Sequence, residues 1–286
     1  MATLADGQEG ESPRADASMI AMFDFSAGAG DIVVDRSGVG VPVDLMIEGM
    51  EWVPEGGLRN VSGKAQASLA SSQKLFASIS SQFSVEAWVI PENLDQSGPA
   101  RIVSYSADTG GRNFTLGQSG DRYNSRVATN QTGGNGNNPQ LLSENDTVTT
   151  ELTHVVMTYD SAAGGRKIYI NGELAAEEDL GNDALNWSNT DLFVIGNEVT
   201  NNRLWRGVFR MVAVHTTALS GAEVAQNFDA GLGTITTLAF DVSDVVGAPA
   251  SVQMQVRELD DNAYVFAVPT LITDVSGVPV KNIRIA

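Results

Sequence analysis

The chain has 286 residues, 17 Lys and Arg against 35 Asp and Glu, a formal net charge of −18 and no cysteine. That balance argues against a nucleic-acid partner, which needs clustered cations, and against an anionic membrane surface. The missing cysteine removes disulfides, thiolate zinc sites and cysteine nucleophiles, and no run of about 18 apolar residues is long enough to span a membrane.

A hydrophobic fraction of 42% supplies a sizeable core, while 29 glycines and 9 prolines among short apolar runs point to many short strands joined by turns. The acidity reads as solubility in a salty medium or, alternatively, as calcium binding. The opening "MATLADGQEGESPRADAS" is polar and lacks the basic and apolar parts of a signal peptide, so residues 1–18 are expected to be a disordered lead-in. Strands begin with "MIAMFDF" and continue through "GAGDIVVDRSGVGVPVDLMI". In "FSVEAWVIP", Phe83, Val85, Ala87 and Val89 alternate with Ser84, Glu86 and Trp88, and Pro91 ends the run. Further strands are "RIVSYSA", "NFTLGQ", "YNSRVAT", "THVVMTYD", "KIYING", "LFVIGN" and "VFRMVAVH". The polar stretch "NQTGGNGNNPQ" is a long loop, either a mobile tip or a ligand-contacting segment. Asn171–Gly172 is a two-residue hairpin turn. One helix is expected near the C-terminal side: Ser220 and Glu223 form a capping box, Val224 and Phe228 share a face, and Gly231 stops it. After Gly233, "TLAFDVS", "SVQMQVREL", "NAYVFAVPTLIT" and "VPVKNIRI" give a β-rich extension over residues 234–286, either a small appendage or strands added to the main body.

The segments "FDFSAGAGDIVVDRSGVG", "FSVEAWVIP", "THVVMTYDSAAGGRKIYINGEL", "LFVIGN" and "WRGVFRMVAVHTTALSGAEV" occur in the order typical of one family. In that order they resemble the laminin-G-like, concanavalin A-like lectin/glucanase jelly roll of bacterial surface and secreted proteins. The resemblance spans about residues 19–233. It implies an all-β, antiparallel two-sheet sandwich and an extracellular or cell-surface location. It also implies a calcium site, in which the Asp of the opening turn, here Asp35, pairs with an Asp of the closing strand. That second position is Arg210 here, which cannot ligate calcium. Arg210 is therefore expected either to stand in for the ion and fork onto Asp35 or Asp24, or to sit at the strand end and reach water. The cofactor is accordingly none, or calcium at Asp35.

Catalytic patterns are missing. Glycosidases of this fold carry E-x-D-x-E on one strand, and no such run occurs; "AEEDL" and "RELDD" have the wrong spacing and read as solvated turns. There is no G-x-S-x-G elbow, phosphate loop or dinucleotide fingerprint. His154 and His215, each alone in a strand, read as structural. Trp88 and Trp52 read as core. Trp187, Asn189, Trp205, Tyr123 and Arg112 are the candidate ligand contacts, because sugars stack on aromatic faces while Asn and Arg hold their hydroxyls. The expected function is a non-catalytic, lectin-like module that binds carbohydrate or a surface protein. A structural or adhesive module that assembles with copies of itself is the alternative, and a hydrolase or lyase ranks last.

Overall fold

The structure is a computed structural model that describes residues 14–162 and 165–232, together with the backbone of three later strands. It contains, among the described residues, β1 (Met19–Phe23), β2 (Ile32–Val33), β3 (Leu45–Trp52), β4 (Leu58–Ala67), α1 (Leu69–Ser78), β5 (Gln82–Pro91), β6 (Ala100–Ser106), β7 (Arg112–Ser119), β8 (Arg122–Val127) and β9 (Leu141–Leu142). Then follow β10 (Thr153–Asp160), β11 (Gly165–Ile170), β12 (Glu173–Asp179), β13 (Leu192–Ile195), β14 (Gly207–His215) and α2 (Gly221–Asp229). Two compact units divide the chain, and Arg14–Leu232 is the larger. In the other unit, β15 (Thr234–Asp241), β16 (Ser251–Leu259) and β17 (Ala263–Phe266) form their own three-stranded antiparallel sheet. That is the appendage alternative rather than added strands. The segment "VPVKNIRI" and residues 1–13 lie outside the described residues.

The larger unit is an antiparallel sandwich, as the alternation in its strands requires. Strands β12, β11, β10, β5, β14 and β1 form one layer; β3, β4, β13, β6, β7, β8 and β9 form the other. Strand β4 joins them: Leu58–Asn60 pair with β14, and Ala65–Gln66 pair with β13. Phe83 of β5 meets Phe114 of β7 with ring centroids 5.2 Å apart, and Phe23 of β1 meets Phe193 of β13 at 6.0 Å. These contacts mark the inner faces, where Val85, Ala87 and Val89 pack against Val103, Leu116 and Ile195 in one continuous core. At the β11–β12 turn, Asn171 and Gly172 take positive φ of 50° and 83°, as a two-residue turn of this kind demands.

Helix α2 begins at the expected capping box on Ser220 and Glu223. It lies over the outer face of the first layer. Trp88, Met22, Met211 and Ala213 form a second cluster there with Phe228, whose ring stacks on Trp88 at 5.7 Å. Val224 joins Val156, Tyr169 and Leu219 in a third. Strand β5 is therefore buried on both sides, which explains how Glu86 comes to be buried at all.

Glu86 gathers partners from four separate elements. His154 Nε2 of β10 donates to its Oε1 at 2.9 Å, Asn227 Nδ2 of α2 donates to its Oε2 at 3.0 Å, and His215 Nε2 of β14 lies 3.5 Å from Oε2. The guanidinium of Arg14 pairs with Oε1 and also donates to the carbonyls of Asn227 and Gly231. Two expectations change here. The histidines are structural, but they converge on one carboxylate instead of standing alone. Residues 14–18 are not a disordered lead-in, because Arg14 is docked on the sandwich and the Ser18 carbonyl accepts from Thr216 N.

Two further elements differ from the sequence reading. Helix α1 is a second helix, capped by Ser68, whose side chain accepts from Ser71 N. "AEEDL" belongs to the edge strand β12 instead of a turn, paired with β11 through Lys167↔Glu177 and Arg166↔Glu178. Trp88 is buried as expected, and Trp52 packs partly buried against the main core.

Burial alone would raise the Glu86 carboxyl, but the charge of Arg14 and the hydrogen bonds from both histidines hold it well below the usual value of 4.5. A carboxylate depressed in the folded state stabilises above its unfolded pKa, and that stabilisation fades as pH falls through lower values. Urea denaturation of wild type and Glu86→Gln between pH 7 and pH 3 is expected to show a gap on the order of 3 kcal/mol at pH 7. The gap narrows progressively below about pH 4.5, the ordinary glutamate value. A pH-independent gap contradicts the assignment.

Candidate ligand-binding face

The sheet that contains β6, β7 and β8 has two chemically opposite faces, and strand alternation assigns them. Val103 pairs with Leu116, Tyr105 with Phe114, and Phe114 with Val127, all on the core side. One residue out of step, Ser104 pairs with Thr115, Thr115 with Arg126, and Gly117 with both Arg101 and Asn124. These residues make the outer face. Gly117 is needed there: a Cβ would stand 2.6 Å from the Ala100 carbonyl oxygen. A register shift in β6 keeps Arg101, and one in β7 keeps Arg112, on the same side as Ser104.

The outer face is a network of polar groups. Ser104 Oγ lies 2.9 Å from Ser106 Oγ and 3.2 Å from Thr115 Oγ1. Arg101 Nε donates to Glu198 Oε2 at 3.2 Å and its Nη1 to the Pro99 carbonyl at 2.8 Å. Ser106 donates to the other Glu198 oxygen. Arg112 donates to the Thr109 carbonyl and, at 3.4 Å, to Thr115 Oγ1. Arg126 donates twice to Gln140 Oε1, at 3.1 and 2.7 Å, and Asn124 Nδ2 donates to the same oxygen at 3.1 Å. The polar loop "NQTGGNGNNPQ" thus delivers Gln140 onto the face, and Gln131 bonds to Asp183 and Leu180 tie it down. Arg101 and Arg112 are buried, while Arg126 and Arg203 are half-buried.

Of the residues expected to touch ligand, only Arg112 lies on this face. Trp205 is fully buried; its indole Nε1 donates to Gln118 Oε1 at 2.9 Å and its ring packs on Phe209 at 4.8 Å, so it anchors a loop and offers no platform. Tyr123 is also fully buried, and burial pushes its phenol up to about 12. Trp187 turns its ring inward onto Phe83 and Phe114, at 5.1 and 5.8 Å. Asn189 is exposed, and its carbonyl accepts from Gln73 at 3.3 Å. Aromatic stacking on Trp187, Trp205 or Tyr123 is therefore unavailable in this arrangement. Arg101, Arg126, Arg203 and Asn124 went unnoticed in the sequence, although three consecutive strands each carry an arginine.

The Asp35 site also differs from expectation. Its Oδ1 accepts from Met22 N at 3.0 Å and Ser37 N at 2.9 Å; its Oδ2 accepts from Val43 N at 2.9 Å and from Lys74 Nζ at 3.3 Å. Despite burial, these bonds hold its carboxyl below the usual value. The fixed cation is Lys74, carried by α1, and not Arg210. Among the described residues Arg210 has no carboxylate within salt-bridge distance; its guanidinium lies over Gly56 and its Cδ over Gly57. Asp24 caps its own turn through Ser26. The donor set does not fit calcium, since an ammonium group already stands at Asp35 and, among the described residues, no group of three or more His, Asp or Glu side chains is placed to hold a metal ion.

A two-layer lectin-type sandwich with one hydrogen-bonding outer face is the class these features define. Residues 62–225 match the family model described as the concanavalin A-like lectin/glucanases superfamily, and the chain belongs to that superfamily. No curated protein matches it. Among solved structures it is similar to Trypanosoma rangeli sialidase in complex with sialic acid, with a TM-score of 0.56 and 17% identity over 76% of this chain and 34% of the sialidase. It is also similar to the binding domain of botulinum neurotoxin DC in complex with SialylT, with a TM-score of 0.53 and 13% identity over 78% of this chain and 53% of that one. At such identities the likeness is one of fold, and this chain spans about a third of the sialidase's length.

Replacing the Lys74 ammonium by methionine leaves the buried Asp35 carboxylate without its cation, so Lys74→Met is expected to lose about 2 kcal/mol in chemical denaturation. Wild-type Tm is expected to be the same in calcium and in chelator. A Tm that rises with calcium contradicts the reading.

Proposed function

We propose that this domain is a non-catalytic, lectin-like module that recognises carbohydrate through the outer face of β6, β7 and β8, in an extracellular or cell-surface setting. The observation that carries the reading is the composition of that face. Hydroxyls, amides and guanidinium groups alternate along it, with Arg126 and Arg203 at its half-buried rim, and such groups grip sugar hydroxyls. Support comes also from the superfamily and from the two neighbours, whose structures hold sialic acid and SialylT. Fold alone does not define function, so the reading rests on the face.

The engagement of two buried carboxylates supports the reading as a binder. Glu198 bonds to Arg101, Ser106 and the Val199 amide, and Glu86 lies buried under α2. Neither has an open carboxylate partner across a groove, the arrangement that most glycoside hydrolases use. The experiment is a thermal-shift screen against acidic and neutral oligosaccharides. A true ligand at a hundredfold excess over its Kd is expected to raise Tm by roughly 5–10 °C, and Arg126→Ala is expected to remove the shift. Cleaved sugar after prolonged incubation, or a full shift retained by Arg126→Ala, contradicts this function.

A further inference from the structure

Resting on that carbohydrate reading, we propose that the outer face selects acidic sugars, accepting an oxyanion (a carboxylate or a sulfate) among the guanidinium groups of Arg101, Arg112, Arg126 and Arg203.

The first argument is unmet hydrogen-bonding capacity. Arg101 Nη2, Arg112 Nε and Arg203 Nε are buried without an acceptor. Asn124 Oδ1 and Gln66 Oε1 are buried without a donor. Gln66 stands opposite Val194 on β13, and Val194 stands opposite Ser104, so it belongs to the same face. Buried polar atoms are nearly always matched by protein, water or a ligand. Here the unmatched set has two kinds: cationic donors that call for an anion, and neutral amide acceptors that call for hydroxyl donors. A sugar acid supplies both. Inorganic phosphate at neutral pH or a plain carboxylate supplies few or no hydroxyls.

The second argument is charge. The chain has 17 cations and a net charge of −18, yet four of its arginines lie within electrostatic reach of one another here. Burial comes first in drawing Arg101, Arg112 and Arg126 down to about 10, and their mutual repulsion adds to it: Arg112 acts on Arg101, Arg126 on Arg112, and Arg101 on Arg126. All three remain charged at neutral pH. Three carboxylates lie within electrostatic reach. Glu198 pairs with Arg101. Asp108 spends Oδ1 on the Gly110 and Gly111 amides at 2.6 and 2.9 Å. Asp191 is pushed up to about 6 by burial and by the charges of Glu198 and Asp108. Only Arg101 thus has a carboxylate within salt-bridge distance among the described residues of this face. An arriving oxyanion would relieve the crowding and accept the planar fork of a guanidinium in the geometry it favours. Arg126 and Arg203, half-buried, form the accessible rim; Arg101 and Arg112 set the field beneath.

Isothermal titration of the full chain tests this with 3′-sialyllactose, lactose 3′-sulfate, digalacturonic acid and neutral lactose. At least one acidic sugar is expected to bind tenfold or more tightly than lactose, and comparison of the carboxylate and sulfate arms identifies the oxyanion. Arg126→Gln and Arg203→Gln are each expected to weaken the acidic sugar at least tenfold, and by a larger factor than they weaken lactose. Arg126→Lys recovers part of the loss, and Arg36→Gln, on an exposed turn, changes nothing. Added salt weakens only the acidic ligand. Equal affinity for acidic and neutral sugars overturns the selectivity and leaves the carbohydrate reading standing, whereas arginine variants that bind acidic sugar as wild type does overturn the placement of the site on this face. A panel in which no sugar binds overturns both.

Discussion

Side-chain alternation along three neighbouring strands is the constraint on which the rest of the structure depends. Each residue of β6, β7 and β8 must point to the core or away from it. Phe114 on β7 meets Phe83 across the sandwich and Leu116 faces the same core beside Val103, while Thr115, between them, is committed to the opposite side with Ser104 and Arg126. The core and the polar face are thus two readings of the same strands. A one-residue slip of register would exchange them, placing arginines among aromatic rings at prohibitive desolvation cost. The stability of the core therefore fixes the geometry of the face.

Buried charge recurs at two other places, each with a distinct role. At Asp35 the Lys74 ammonium supplies from the chain itself the positive charge that a bound ion would otherwise bring, and the carboxylate then orders the backbone around Met22, Ser37 and Val43. At Glu86 one carboxylate joins β5, β10, β14, α2 and the segment before β1. Both are closed: their acceptors are met from within the protein. At the arginine face, Arg101 Nη2, Arg112 Nε and Arg203 Nε are buried without an acceptor, which supports the proposal that another molecule binds there.

Much of the sandwich could be read from sequence because its signals are local. The alternation in "FSVEAWVIP", the Asn171–Gly172 turn and the Ser220–Glu223 capping box each act within a few residues. Helix α1 gave a weaker signal: "LASSQKLFAS" is rich in serine, which competes for backbone hydrogen bonds, and the residue at the position a capping glutamate would take is Ser71. Strand β12 is half-exposed along its length, so it shows little apolar alternation; the turn before it was its best signal. The face was legible in part. Arg112 lies on it, but Trp205, Tyr123 and Trp187 look like ligand platforms in a linear sequence and are turned inward by contacts with residues far along the chain. The Arg210–Asp35 pairing failed for the same reason, since the competing Lys74 sits on the helix that was missed. Bulges in β6 hide the phase of Arg101 from any strict count by two.

Arginine side-chain NMR offers the most direct measurement, because it observes the guanidinium groups themselves. In protein labelled at arginine, titration with an acidic oligosaccharide should move the Nε–H resonances of Arg101, Arg112, Arg126 and Arg203 along one saturating curve, with Arg36 and Arg59 stationary. Stationary resonances from those four arginines while an acidic sugar binds elsewhere would contradict the account.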